Sequence, residues 1–237
     1  MKASNKLLVV IIMVVVAYMV VFDAGLKAEY LKGDFKNPFF GMEQLPIKDF
    51  NSIDHQAANV IDATIEKGPK FTIWVKKEFK DSVQIVKQGK TLVIRYIGQG
   101  YKHMFYSGIK ITCPQLENIT TKAFIPKSWG EDRGNSYHDD IDVIGFDQEK
   151  MTVNPGPLTE IELKNNKLVS MEAIVGDNSN DIGGLNVNSN NYIKSASIKV
   201  LGKSELKMAN PNITKLEHSI SDSASLILSG SAVRLLK

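Results

Sequence analysis

The sequence predicts an all-β domain of the β-helix or solenoid kind, made of short stacked strands and preceded by one N-terminal transmembrane helix. Three observations predict it. From Phe50 onward apolar residues recur with period two, the alternation that lines one face of a strand and that no helix explains. The C-terminal part repeats at about twenty residues: Ile193, Ala196, Ile198 and Val200 fall on Ile213, Leu216, His218 and Ile220, and Leu206 and Met208 fall on Leu226 and Leu228. The sixteen residues 7–22 carry no charge. A repeat this short cannot bury its own apolar face, so a neighbouring unit must cover it.

The uncharged run 7–22 is a little short of the roughly 20 residues of a membrane-spanning helix. The following residues 24–32 have helix-forming composition and carry the helix out to Gly33. Asp23-Ala24-Gly25 and Lys27-Ala28 supply small residues poorly for a signal-peptide cut, so the run reads as an uncleaved signal-anchor. Lys2 and Lys6 place residues 1–6 in the cytoplasm and the remainder outside it. The lipid bilayer is then a partner through residues 7–22. Residues 23–49 show no β alternation and form a linker. Its Phe35, Phe39, Phe40 and Met42 either pack on the domain or lie at lipid headgroups.

Residues 50–237 form the all-β domain, with the repeat clearest in 158–237. Short apolar alternations include Phe71-x-Ile73-x-Val75, Val83-x-Ile85, Leu92-x-Ile94-x-Tyr96, Ile109-x-Ile111-x-Cys113, Ile141-x-Val143 and Met151-x-Val153, bounded by turn residues. Gln88-Gly89 makes a tight turn between two of them. Asn165, Asn210 and Gly230 each stand two residues past an apolar-x-apolar strand, where a corner with positive φ suits Asn and Gly. Cys113 is the single cysteine, so no internal disulfide forms. Its place at a strand end is that of a small buried hydrophobe.

Several of these segments together resemble a known family. They are Phe50-Asn51-x-Ile53, Phe71-x-Ile73-x-Val75, Gly89-x-Thr91-Leu92-x-Ile94, and Ile109-Lys110-Ile111-Thr112-x-Pro114-x-Leu116-x-x-Ile119. The pattern is similar to that of the auto-transporter adhesin head domains (the "head GIN" family) of bacterial cell envelopes, over residues 50–237. The resemblance implies a β-helix-like fold in an envelope protein and carries over no catalytic residue. The chain departs from the family in having only Ser229-Gly230-Ser231 near a Gly-Ser-Gly turn, and in the polar insertion 127–140.

The chemistry is mostly exclusion. With 29 Lys and Arg against 26 Asp and Glu, and two of those lysines ahead of the apolar run, the domain is near neutral and has no electrostatic footprint for nucleic acid. No phosphate loop, dinucleotide glycine pattern, zinc-cysteine cluster or nucleophile elbow is present, and no cofactor is implied. Asp177-x-Ser179-x-Asp181 spaces oxygens as calcium loops do, but Ile182 and Asn188 stand where such a loop needs Gly and Glu, so it reads as a solvated turn. His138, Asp139, Asp140 and Asp142 have the types to hold a metal or act as paired carboxylates, but they stand in a polar loop leading into a strand and read as that; the sequence does not show whether Glu160 or Glu162 lies alongside. His218 falls on an inward register position and reads as a core or half-buried histidine.

One candidate binding surface remains. The insertion 127–140 carries Trp129, Tyr137 and His138, and the aromatic segment 100–106 adds Tyr101 and Tyr106. Loops of this length without structure of their own concentrate function, and Trp and Tyr supply large contact area; the plainer alternative is that Trp129 caps the open end of the core. The sequence thus describes a non-enzymatic, membrane-anchored envelope protein, an adhesin or interaction domain with an envelope protein or glycan partner. The alternatives are a carbohydrate-active enzyme on a β-helix scaffold and an envelope-stress signalling component.

Overall fold

The computed structural model of the chain describes residues 3–98, 108–125 and 140–236. These fall into two compact units, Met1–Met42 and Glu43–Lys237.

In the first unit a single helix, α1 (Ala3–Lys32), runs for 30 residues with none of them buried, a length of about 45 Å. It is long and apolar enough to cross a membrane. Gly33 ends it in the left-handed conformation, φ 72°, the usual stop for a helix of good formers. A single 3-10 turn, Asp34–Lys36, follows. The Tyr30 and Phe35 rings stack with centroids 5.0 Å apart, and the Lys36 ammonium lies 5.6 Å from the Phe35 ring centre. Phe35 and Phe40 are exposed.

The second unit is built of strands. In chain order these are β1 (Met42–Leu45), β2 (Ser52–His55), β3 (Ala63–Lys67), β4 (Thr72–Lys76), β5 (Val83–Gln88) and β6 (Thr91–Tyr96). Next come β7 (Ile109–Cys113), β8 (Asn118–Thr121), β9 (Asp140–Ile144), β10 (Asp147–Pro155), β11 (Glu160–Lys164) and β12 (Lys167–Val175). The last are β13 (Gly184–Val187), β14 (Tyr192–Val200), β15 (Glu205–Ala209), β16 (Asn212–Ile220) and β17 (Ser225–Ser229). β1 lies in the stretch that the sequence reads as linker.

The strands form two sheets. One has nine, in the order β1-β4-β7-β3-β9-β11-β13-β15-β17; the other has eight, in the order β16-β14-β12-β10-β8-β2-β6-β5. The expected β-helix or solenoid is therefore corrected to two open mixed sheets. A solenoid wound coil upon coil would leave neighbours in chain order and all parallel. Here β2 sits between β8 and β6, and β3 between β7 and β9. β4 pairs antiparallel with β7, and β5 antiparallel with β6 across the Gln88-Gly89 turn. The sequence repeat itself survives as register. Parallel pairing sets Ile193 beside Ile213, Ala196 beside Leu216 and Ile198 beside His218, and Leu206 beside Leu226.

One apolar core takes side chains from both sheets, among them Ile53, Ile94, Ile119 and Val153 from the eight-stranded sheet and Ile65, Ile111, Val143 and Leu163 from the nine-stranded one. Cys113 is fully buried in it. The polar corners are also satisfied. Asn165, Asn210 and Gly230 have φ of 57°, 46° and 60°, as their spacing predicts. Beside them runs a column of buried amides. Asn166 Nδ2 donates to Val143 O at 2.9 Å and to Asn191 Oδ1 at 2.9 Å. Asn166 Oδ1 accepts from Phe146 N at 2.9 Å. Asn191 Nδ2 donates to Leu163 O at 2.7 Å. These side chains supply the partners that turning backbone would otherwise lack inside the core. At another set of turns the Thr121 and Thr159 hydroxyls lie 2.5 Å apart, both buried.

His218 departs from its expected place. It is exposed, although its register partner Ile198 is buried. β16 is the outermost strand of its sheet, so the inward row there lacks the neighbour that covers Ile198.

Candidate functional site

Two surfaces of the described residues bring chemistry-bearing side chains together. The first is the outward face of the nine-stranded sheet. Parallel register places Asp142 beside Glu162, and Asp140 beside Glu160, on β9 and β11. Of the acidic residues singled out in the sequence, Asp142 thus stands beside a carboxylate of the next strand. Lys164 Nζ stands 2.8 Å from Asp142 Oδ1 and 2.7 Å from Glu162 Oε2, and Asn188 Nδ2 donates to the other Glu162 oxygen at 2.6 Å. Lys207 Nζ lies 3.1 Å from Glu205 and 3.6 Å from Glu160. Glu160 is almost fully buried and packs over Gly184, where a Cβ would meet its Cγ at 3.1 Å.

This arrangement ties both carboxylates, Asp142 and Glu162, to one ammonium. Burial works to lower the Lys164 ammonium, but hydrogen bonds to Asp142 and Glu162 outweigh it and hold its pKa above the ordinary lysine value. A general acid and base need one carboxyl free to take or give a proton at the substrate. Both carboxylates here are committed to one cation. Among the described residues no three His, Cys, Asp or Glu are grouped to hold a metal. In the 177–181 turn, Asp177 Oδ1 accepts from Ser179 N at 2.7 Å and Ser179 Oγ from Asp181 N at 3.3 Å, so these oxygens serve their own loop.

The second surface is a groove of about 1050 Å³ lined by the starts of β10, β12, β14 and β16. Its origin is a repeated departure from strict alternation. Buried residues in β12 and β14 are three apart at Leu168 and Met171 and at Ile193 and Ala196. Two successive outward residues between them bend each strand, as a bulge does. Because the strands are in parallel register, the bends stack. One row along the groove runs Asp147, Lys167, Tyr192, Asn212; the next holds Glu149, Val169, Lys194 and Thr214. Tyr192 is 58% exposed.

Two single groups are inert by environment. His55 is fully buried, and burial pushes its pKa down to about 4. Its Nε2 donates to Ile61 O at 2.9 Å and its Nδ1 accepts from Ala57 N at 3.4 Å, the pattern of a neutral ring. Burial pushes the Cys113 thiol up to about 12, so it is no nucleophile at neutral pH.

The sequence-derived surface of Trp129, Tyr137, His138, Tyr101 and Tyr106 lies outside the described residues. Sequence reasoning missed Tyr192, which stands one residue ahead of the repeat that begins at Ile193. The signal that locates the groove was present as the spacing of three between Ile193 and Ala196.

No protein-family model matches the chain, and no curated protein does. Solved structures do resemble it. A "putative adhesin" from Bacteroides fragilis aligns with TM-score 0.43 at 13% identity, over 78% of this chain and 94% of its own. A "putative adhesin" from Parabacteroides merdae aligns with TM-score 0.42 at 13% identity, over 79% and 95%. A "putative lipid binding protein" from Parabacteroides distasonis aligns with TM-score 0.36 at 14% identity, over 80% and 94%. None of them transfers a residue role. The head GIN resemblance rests on the sequence motifs alone.

Proposed function

We propose that this chain is a membrane-anchored envelope protein whose β unit is a non-enzymatic adhesin or interaction domain held outside the cytoplasm. The observation that carries the reading is the form of the first unit. It is an apolar helix of 30 residues with no buried face, attached to a second unit that has a core of its own. Such a helix exposes apolar surface that water penalises and a bilayer accepts. Lys2 and Lys6 orient it with the N-terminus in the cytoplasm. Tyr30, Phe35 and Phe40 with Lys27 and Lys36 form the mixture of rings and cations that settles at a headgroup boundary. The binding role draws support from the groove, whose charged rims face solvent, and from the commitment of Asp142 and Glu162 on the other sheet to the Lys164 ammonium. The head GIN resemblance of the sequence motifs points the same way.

The test is topology. Cells expressing the full chain are fractionated, the mature N-terminus is determined by mass spectrometry, and protease is added to spheroplasts. The reading expects the chain in membranes, residue 1 or 2 at its N-terminus, and a β unit reached by protease from outside. A mature N-terminus near Lys27, or a β unit protected until the membrane is opened, refutes it.

A further inference from the structure

We propose that the groove across β10, β12, β14 and β16 is a binding site for an extended, uncharged or zwitterionic oligosaccharide, with Tyr192 as its stacking platform. This rests on the reading of the β unit as an exposed binding domain and names the ligand class.

The chemistry follows from what the groove offers. Its floor is backbone already engaged. β12 and β14 are paired on both sides, Lys167 N donates to Phe146 O and Tyr192 N donates to Asn166 O. A peptide lying across these strands would find no free main-chain partners along β12 and β14, so strand addition is not the mode of recognition there. Recognition falls to side chains. Asp147, Glu149, Lys167, Lys194, Asn212 and Thr214 line it, and among the described residues the first four make no side-chain hydrogen bond or ion pair. Two carboxylates and two ammoniums leave the groove without net charge, which gives no field to draw a polyanion or polycation. They do supply both acceptors and donors, the complement of a ligand dense in hydroxyl groups.

Tyr192 adds the apolar part. It stands between Lys167 on β12 and Asn212 on β16, more than half exposed, a flat ring with a polar tip. The C–H face of a pyranose packs on such a ring while its equatorial hydroxyls reach the rims. The groove crosses four strands, about 14 Å between the outer two at the usual strand spacing. That length fits a short run of sugar rings better than one monosaccharide.

The test uses the full chain in amine-oxide micelles, a detergent without a sugar head group. A panel of neutral and zwitterionic tetrasaccharides, chitotetraose, cellotetraose and maltotetraose among them, is screened by saturation-transfer NMR and titrated by calorimetry. At least one is expected to bind. Tyr192→Ala should weaken it about tenfold or more, Tyr192→Phe should retain it, and neither should move the melting temperature, because the ring is exposed. Absence of any binder in the panel overturns the proposal, as does binding that survives Tyr192→Ala or that high salt abolishes. Capture of a peptide or a second copy at this groove in place of the sugars overturns it too. An exported, membrane-held domain that binds no sugar would sink this proposal and leave the topology reading standing.

Discussion

Asn166 offers the most direct measurement of what holds the corners of this fold. The residue is fully buried, and its side chain bridges three others: Phe146 N, Val143 O and Asn191 Oδ1. Asn166→Leu keeps the number of heavy atoms and their branching and adds apolar surface, so a simple burial argument expects little loss. The hydrogen-bond argument expects a large one. It removes the partner of the Phe146 N–H and a partner of the Val143 carbonyl inside a water-free corner, at roughly 1–3 kcal/mol for each group left unsatisfied. The central expectation is about 3–4 kcal/mol. For a unit of this size that lowers the melting temperature by roughly 10 °C. Asn190→Ala is the control: Asn190 is exposed and, among the described residues, bonds only its neighbour in the next turn, Asn165, so its loss should stay at about 0.5 kcal/mol. Urea and thermal unfolding of the full chain in detergent measure both. Equal losses for the two variants would refute the claim that the amide column stabilises the corners.

Two further outcomes are expected. Gly230→Val should cost about 1–2 kcal/mol, because φ there is 60° and a β-branched residue resists it; the added Cβ would also meet Asn210 Oδ1, which accepts from Ser231 N. Unchanged unfolding would show that the corner is not fixed there. Stability should also fall on acidification through His55. Its folded pKa of about 4 lies below the ordinary 6.5, so the unfolded chain binds the extra proton first. The contribution is complete above pH 6.5 and is lost as pH falls to 4, about 3 kcal/mol in all. His55→Gln should remove that slope, which a pH series of urea midpoints reads; an undiminished slope assigns it elsewhere.

The local features of the fold were legible in the sequence. Period-two alternation marks the strands, the match of Ile193 with Ile213 gives their register, and Asn165, Asn210 and Gly230 mark corners that do have positive φ. What was illegible is non-local. Nothing in Ser52-Ile-Asp-His55 says that this strand lies between β6 and β8, because parallel neighbours are chosen by the packing of the whole core and not by an adjacent turn. The same blindness placed His218 inside: the repeat gives its row but not that β16 is the last strand of its sheet. The candidate site was legible only in part. Asp142 was singled out, yet its commitment to Lys164 alongside Glu162 depends on which strand lies next to β9. Tyr192 escaped because a lone ring at a strand start gains meaning only when four strand starts line up.

The strand order has a consequence for a β unit that leaves the ribosome, or crosses a membrane, with its earliest strands first. From β10 onward each strand meets a partner that arrived two strands earlier, Ile193 with Ile213 and Leu206 with Leu226. That half can be completed one strand at a time as it emerges. The first half cannot. Ser52 needs Asn118 on one side and Thr91 on the other, and Ala63 needs Ile109 and Ile141. Until β8 and β9 have emerged, β2 and β3 each present an unpaired edge beside apolar side chains. The interval between the appearance of β2 and the arrival of β9 is when this protein is most exposed to wrong pairing.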